Sequence, residues 1–144
     1  MTNKNADMLR FVQQMIAIRK RHASIMRRRF LTGKIIESRG IKDISWHGAK
    51  LNTPLWDDSE TRLLAFTLAG VEEDEPDLHV VINMSDEQTN IQLPVIKRKK
   101  WCLSVDTSQD SPNDIIRRPN QKPVTRKTFL VNKKTIVVFE NINS

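Results

Sequence analysis

RLLAFTLAGVEEDEPDLHVVINMSDEQTNIQLP, residues 62–94, decides the fold. It contains three short apolar runs, at 62–69, 78–84 and 89–94, each rich in β-branched or aromatic residues and closed off by turn formers, which is how strands read. The acidic run GVEEDEPD at 70–77 reads as a solvated hairpin between the first two strands, because like charges in one loop repel and turn to water. Ser85-Asp86-Glu87 reads as a second tight hairpin. Working outward, ISW at 44–46, WCLSV at 101–105, TFLV at 128–131 and TIVVFE at 135–140 have the same character, with Asn132-Lys133-Lys134 as a hairpin between the last two. So many short strands with no helix between them predict a mainly β fold, an antiparallel β-sandwich of Greek-key type. The stretch from Asp106 to Lys127 holds three of the six prolines and few apolar residues, and is expected to be a long excursion at one end of the sandwich.

Ahead of the strands the period changes. From Asn5 to His22 the residues Met8, Leu9, Val12, Met15 and Ile16 recur at helical spacing, widened by Phe11 and Ile18. Asn5 is the expected cap, Asp7 suits the positive end of the helix dipole, and Arg19, Lys20, Arg21 and His22 suit the negative end. The helix could continue through Ile25 to Arg29, with Gly33 as its stop. The chain therefore divides into residues 1–33, an N-terminal helix with its linker, and residues 34–144, the sandwich.

A chain of 144 residues can bury about 70% of the surface its unfolded form exposes, which is enough for one core and far too little for a large catalytic barrel. The composition is that of a globular protein, with no run long enough to cross a membrane. MTNKNADMLRF has no apolar secretory core, so a cytoplasmic location is expected, and there the glycosylation pattern Asn83-Met84-Ser85 carries no chemistry. The net charge of +7 is segregated: 12 Lys and Arg against 3 acids over residues 1–50, 1 against 10 over 51–90, and 11 against 4 over 91–144. Arg27-Arg28-Arg29 and Lys97-Arg98-Lys99-Lys100 are the only basis for a nucleic-acid reading. That reading ranks lowest, because the aromatic residues that stack on bases are not interleaved with them and tyrosine is absent.

Catalytic signatures are missing as well. His22, His47 and His79 are not at metal-ligand spacing, and His79 inside a strand reads as a packed or surface imidazole. The single cysteine, Cys102, reads as a small buried hydrophobe beside Trp101. Phosphate-binding and nucleophile motifs do not occur, and neither a metal nor a cofactor is called for. The residues with the character of a contact surface are Trp46, His47, Trp56 and Asp57, which suit either a glycan or a domain interface. Trp46 shares a strand face with Ile44 and is expected on the inner face of the sheet. Trp56 precedes Asp57-Asp58-Ser59 and is expected to fold back over the sandwich edge.

The order of MLRFVQQMIAIRKRH, RRRFLTG, DISWHGAKLNTPLWDD, RLLAFTLAG, DLHVVINMSDE and TIVVFE resembles the C-terminal end of bacterial isoamylase-type glycogen debranching enzymes, glycoside hydrolases of the α-amylase superfamily. The resemblance is specific in the helix and over residues 43–85, and weak over 106–127. It implies that the helix corresponds to the last helix of a (β/α)₈ barrel and the rest to a small β-sandwich, in enzymes that hydrolyse α-1,6 branch points of glycogen and limit dextrins. The family's nucleophilic Asp, acid/base Glu and transition-state Asp lie before that helix, so no residue here inherits a catalytic role. What the resemblance implies is a non-catalytic domain that stabilises its barrel, with a carbohydrate-binding module for glycogen or another α-glucan as the alternative. Freed of the barrel, the helix is expected to fold back on the sandwich or to drive self-association.

Overall fold

The computed structural model describes residues 3–25 and 30–144. Arg27-Arg28-Arg29 and the expected extension of the helix towards Arg29 lie outside the described residues. Helix α1 spans Asn3–Arg21 and carries Arg19, Lys20 and Arg21 in its last turn, where cations meet free carbonyls. It begins two residues ahead of the expected cap, so Asn5 lies inside the first turn and Asp7 beyond it. The strands follow in order: β1 Ile35–Ile36, β2 Ile41–Lys42, β3 Ile44–His47, β4 Leu63–Leu68, β5 Leu78–Asn83, β6 Thr89–Gln92, β7 Lys99–Asp106, β8 Thr128–Val131 and β9 Thr135–Asn143.

The sandwich consists of a five-stranded antiparallel sheet ordered β3-β4-β5-β9-β7 and a two-stranded sheet of β6 and β8, with β1 and β2 forming a separate small ribbon. The acidic run is the β4–β5 hairpin, as expected. The other two hairpins are not hairpins. Ser85-Asp86-Glu87 connects β5 in the large sheet to β6 in the small one, and Asn132-Lys133-Lys134 connects β8 back to β9. Both turns therefore cross between sheets. They lie side by side, because the Asn83 amide donates to the Glu87 and Asn132 carbonyls and the Lys134 N–H to Ser85 O. A turn signal marks where the chain reverses; which strand then pairs with which is set by where the apolar faces find cover.

The core between the sheets consists of Ala65, Val81, Ile91, Leu93, Trp101, Val131, Val137 and Phe139. The opposite face of the large sheet is also covered: Phe11 and Ile18 of α1 pack with Leu68, Leu78, Val105, Ile115 and Val138. A bulge between Leu103 and Val105 turns β7 over, so that Leu103 faces the sandwich interior and Val105 faces the helix. Residues 106–127 do not stand at one end of the sandwich. They run back along β7, the edge of the large sheet, with bridges from Val105 to Ile115 and from Cys102 to Pro123 and with the Val124 N–H on Trp101 O at 2.7 Å. An edge strand with unpaired amides invites foreign pairing, and this proline-rich segment occupies the edge instead.

Candidate docking surface

Helix α1 is apolar on two sides. One side, Phe11 and Ile18, is spent on the sheet. The other, Met8, Leu9, Val12, Met15 and Ile16, is 40–63% exposed. The helix is held in this orientation at both ends. At the C-terminal end Arg21 donates two 2.6 Å hydrogen bonds to the Glu140 carboxylate, and His22 Nε2 and Gln121 Nε2 donate to the same group. Burial pushes the Glu140 carboxyl up, but those donors outweigh burial and hold it well below the usual carboxylate range. In the N-terminal half Arg10 reaches Asp114, Ser111 Oγ and the Ile115 carbonyl.

Beside the helix the same face of the large sheet is partly bare. The strand period and the register put Leu64, Phe66, Val80, Ile82 and Ile136 on that face, half-buried or exposed. Trp46 belongs to it too. Its indole packs on Phe66 with centroids 5.5 Å apart and meets the edge of Trp56 at 5.4 Å. Trp46 is therefore not on the inner face of the sandwich. It is 40% exposed on the helix-bearing side, and Trp56 is 62% exposed. Ile44 does share the face of Trp46, as expected, but the cover on that face is α1 rather than the second sheet.

The four residues singled out from the sequence separate in space. Trp46, Trp56 and the exposed Asp57 share one corner. His47, one residue along the strand, points to the other face and is buried. Its Nδ1 accepts the Asn52 amide and its Nε2 contacts Thr67 Oγ1, which contacts His79 Nδ1, all at 2.9 Å. His79 is fully buried against Trp101 and Phe139, and burial, reinforced by His47, pushes it down to about 3. The loop that delivers Trp56 is tight. Asn52 has a left-handed φ of 59°, and a Cβ on Gly48 would sit 2.6 Å from the Thr53 carbonyl. Asp58 caps its own turn by accepting the Glu60 amide.

The buried acids have structural partners. Asp43 accepts the amides of Thr32, Gly33 and Ile44; Asp77 takes a two-pronged ion pair from Arg39 and hydrogen bonds from Gly70 and Asn141; Asp106 holds Ser108. Together with Glu140 they account for the buried carboxylates among the described residues. Among the described residues no group of three His, Cys, Asp or Glu side chains is placed to hold a metal ion, and no helix is long and apolar enough to cross a membrane. The basic run meets the acidic hairpin: Arg98 approaches Glu73 and Lys99 Nζ donates to the Glu75 carbonyl. Cys102 is buried, and burial pushes its thiol up. Sequence reasoning missed Glu140 and the bare part of the helix-bearing face. The signal was present, since RLLAFTLA, LHVVIN and TIVVFE carry apolar residues at consecutive rather than alternate positions, the pattern of strands covered on both faces.

Residues 45–142 match the family model described as isoamylase 1-3, C-terminal. The chain belongs to the isoamylase C-terminal domain family. It is 30% identical over 123 residues to isoamylase 3, chloroplastic, of Oryza sativa subsp. japonica, covering 85% of this chain and 14% of that protein. It is 30% identical over 112 residues to isoamylase 1, chloroplastic, of Arabidopsis thaliana, covering 78% of this chain and 13% of that protein. An isoamylase C-terminal domain thus spans about one seventh of the length of these plant relatives. The match begins at Ser45, just ahead of Trp46, and takes in the aromatic corner, both crossing turns and the edge segment. Helix α1 precedes it. Among the described residues the chain is a sandwich with one α-helix, and it corresponds to the C-terminal domain of an isoamylase.

Proposed function

We propose that this domain stabilises the catalytic barrel of an enzyme that hydrolyses α-1,6 branch linkages in glycogen or limit dextrin, docking through the outward side of α1 and the Trp46–Phe66–Trp56 corner. The observation that carries the reading is the two-sided helix. A stripe of five large apolar side chains is costly to leave in water, and α1 is clamped so that the stripe faces away from its own sandwich. The plant relatives are about seven times longer than the matched region, so there is a large remainder of polypeptide for such a surface to meet. A cytoplasmic location is part of this reading, whereas both plant relatives are chloroplastic by name.

The test is complementation. A barrel fragment of the parent enzyme, expressed separately, is expected to bind this chain and melt at a higher temperature with it. Val12→Glu and Ile16→Glu should abolish both effects while leaving the domain's own melting unchanged. A barrel fragment indifferent to the wild-type chain overturns the reading. The exposure of Trp56 beside Asp57 supports a second reading, an α-glucan contact in which the indole stacks on a glucose face and the carboxylate accepts hydroxyls. Retardation in a glycogen-containing gel that Trp56→Ala removes would establish it. Self-association through α1 is the remaining occupant of the stripe, and sedimentation of the chain alone distinguishes it.

A further inference from the structure

The hydrogen bonds beneath the aromatic corner fix the tautomer of His47. A backbone amide can only donate, so the Asn52 N–H requires a bare, accepting Nδ1 on His47. The His47 proton is therefore on Nε2 and is donated to Thr67 Oγ1, which in turn lies within hydrogen-bond distance of His79 Nδ1. His79 Nε2 has no partner and lies in the core. A second proton on His47, at Nδ1, takes away the acceptor of the Asn52 amide. His47 is the reachable entry point, because it lines a cleft of about 360 Å³ with Ser45, Leu51 and Pro94.

We propose that His47 is an acid-operated latch: neutral, it holds Asn52 and keeps Trp56 seated on Trp46, and protonated at Nδ1 it releases residues 52–58 and opens the corner. The part played by that corner in docking rests on the function proposed above, whereas the latch itself does not. The hinge is defined by the other bonds of the loop. The Leu51 amide stays on Gln92 Oε1 and the Ala49 carbonyl on the Gln92 amide, so the segment comes free from Asn52, whose left-handed backbone then relaxes, with the exposed Thr53 hydroxyl on Lys50 O as its one remaining tie at that end. The groups facing His47 reinforce neutrality. His79 approaches from β5 and Lys42 of β2 lines the same cleft, Thr67 of β4 and the 93–96 segment bring no charge, and no carboxylate lines the cleft. Burial lowers the affinity of His47 for its proton, so the latch opens below the ordinary histidine range.

The isolated chain suffices for the test. At pH 7.5, NMR should show His47 as the Nε2–H tautomer and a protected Asn52 amide. On acidification, protection at Asn52 should fall at least about tenfold. Tryptophan emission should shift to the red with the same midpoint. The Trp101 indole N–H, bonded to Pro94 O at 2.7 Å, should keep its resonance through that midpoint. His47→Asn keeps an accepting oxygen near the place of Nδ1 and cannot titrate, so its emission should be flat over the same range. If that variant does not fold, the wild-type tautomer and exchange data decide alone. An Nδ1–H tautomer at neutral pH, an Asn52 amide unchanged while the emission moves, or loss of the Trp101 resonance at the same midpoint overturns the proposal. A working latch together with barrel binding that ignores pH would instead count against the docking role of the corner.

Discussion

Trp46 and His47 are adjacent in sequence and have opposite fates, since strand alternation sends one indole to the helix-bearing side and one imidazole into the sandwich. Trp46 is only partly covered, so Trp46→Ala should cost about 1–2 kcal/mol, in proportion to the area it buries. Phe139, fully buried between the sheets, should cost about 3–5 kcal/mol when cut to alanine. Denaturant unfolding of the two variants checks the order, and equal losses would contradict it. His79 sets the acid limit. It is neutral in the fold down to about pH 3 but takes up a proton near 6.5 when unfolded, so the unfolded state binds more protons throughout that interval. Stability is therefore full above 6.5 and falls as pH drops towards 3, by on the order of 4 kcal/mol from this residue. The paired Glu140 carboxylate loses its contribution in the same direction below about 4.5. Thermal melts between pH 8 and 3 test both, and a melting temperature unchanged from pH 7 to 4 would contradict the assignment to His79.

Two elements have roles that their sequences do not disclose. Helix α1 packs on the sheet with one side and exposes an apolar stripe on the other, and Glu140 holds its C-terminal end. Glu140→Gln leaves Arg21 facing a neutral amide in a buried place and is expected to cost about 3–5 kcal/mol. Amide exchange in the last turns of α1 should accelerate more than in β5. Exchange that rises equally in both would mean that the helix is not separately latched. The 106–127 segment reads as a loop because it is polar and proline-rich, yet it guards the β7 edge. The two crossing turns show the same limit. Ser85-Asp86-Glu87 and Asn132-Lys133-Lys134 have hairpin chemistry, but each of their strands finds better cover in a different sheet from the strand before it.

The whole molecule is a sandwich with a helix on its back and a bare apolar face. With its buried acids committed to amides, arginines and a hydroxyl, the chain alone is expected to release no reducing sugar from glycogen or pullulan. Release above a buffer blank that vanished on mutating an acid of this chain would overturn that expectation. The face that matters is assembled from distant parts: α1 at one end of the chain, β3 and β4 in the middle, β9 at the other end.

The sequence by itself determined the class of the fold, the existence and period of α1 and the positions of most strands. All of these follow from local composition and spacing, which act over a turn of helix or a strand's length. Only the tertiary structure decided which face of the sheet Trp46 occupies, that His47 and His79 join through Thr67, that Glu140 anchors α1, and that two turns cross between sheets. The physical reason is that a period of two states which residues share a face, but what covers that face is settled by elements far away in the chain that compete to bury it.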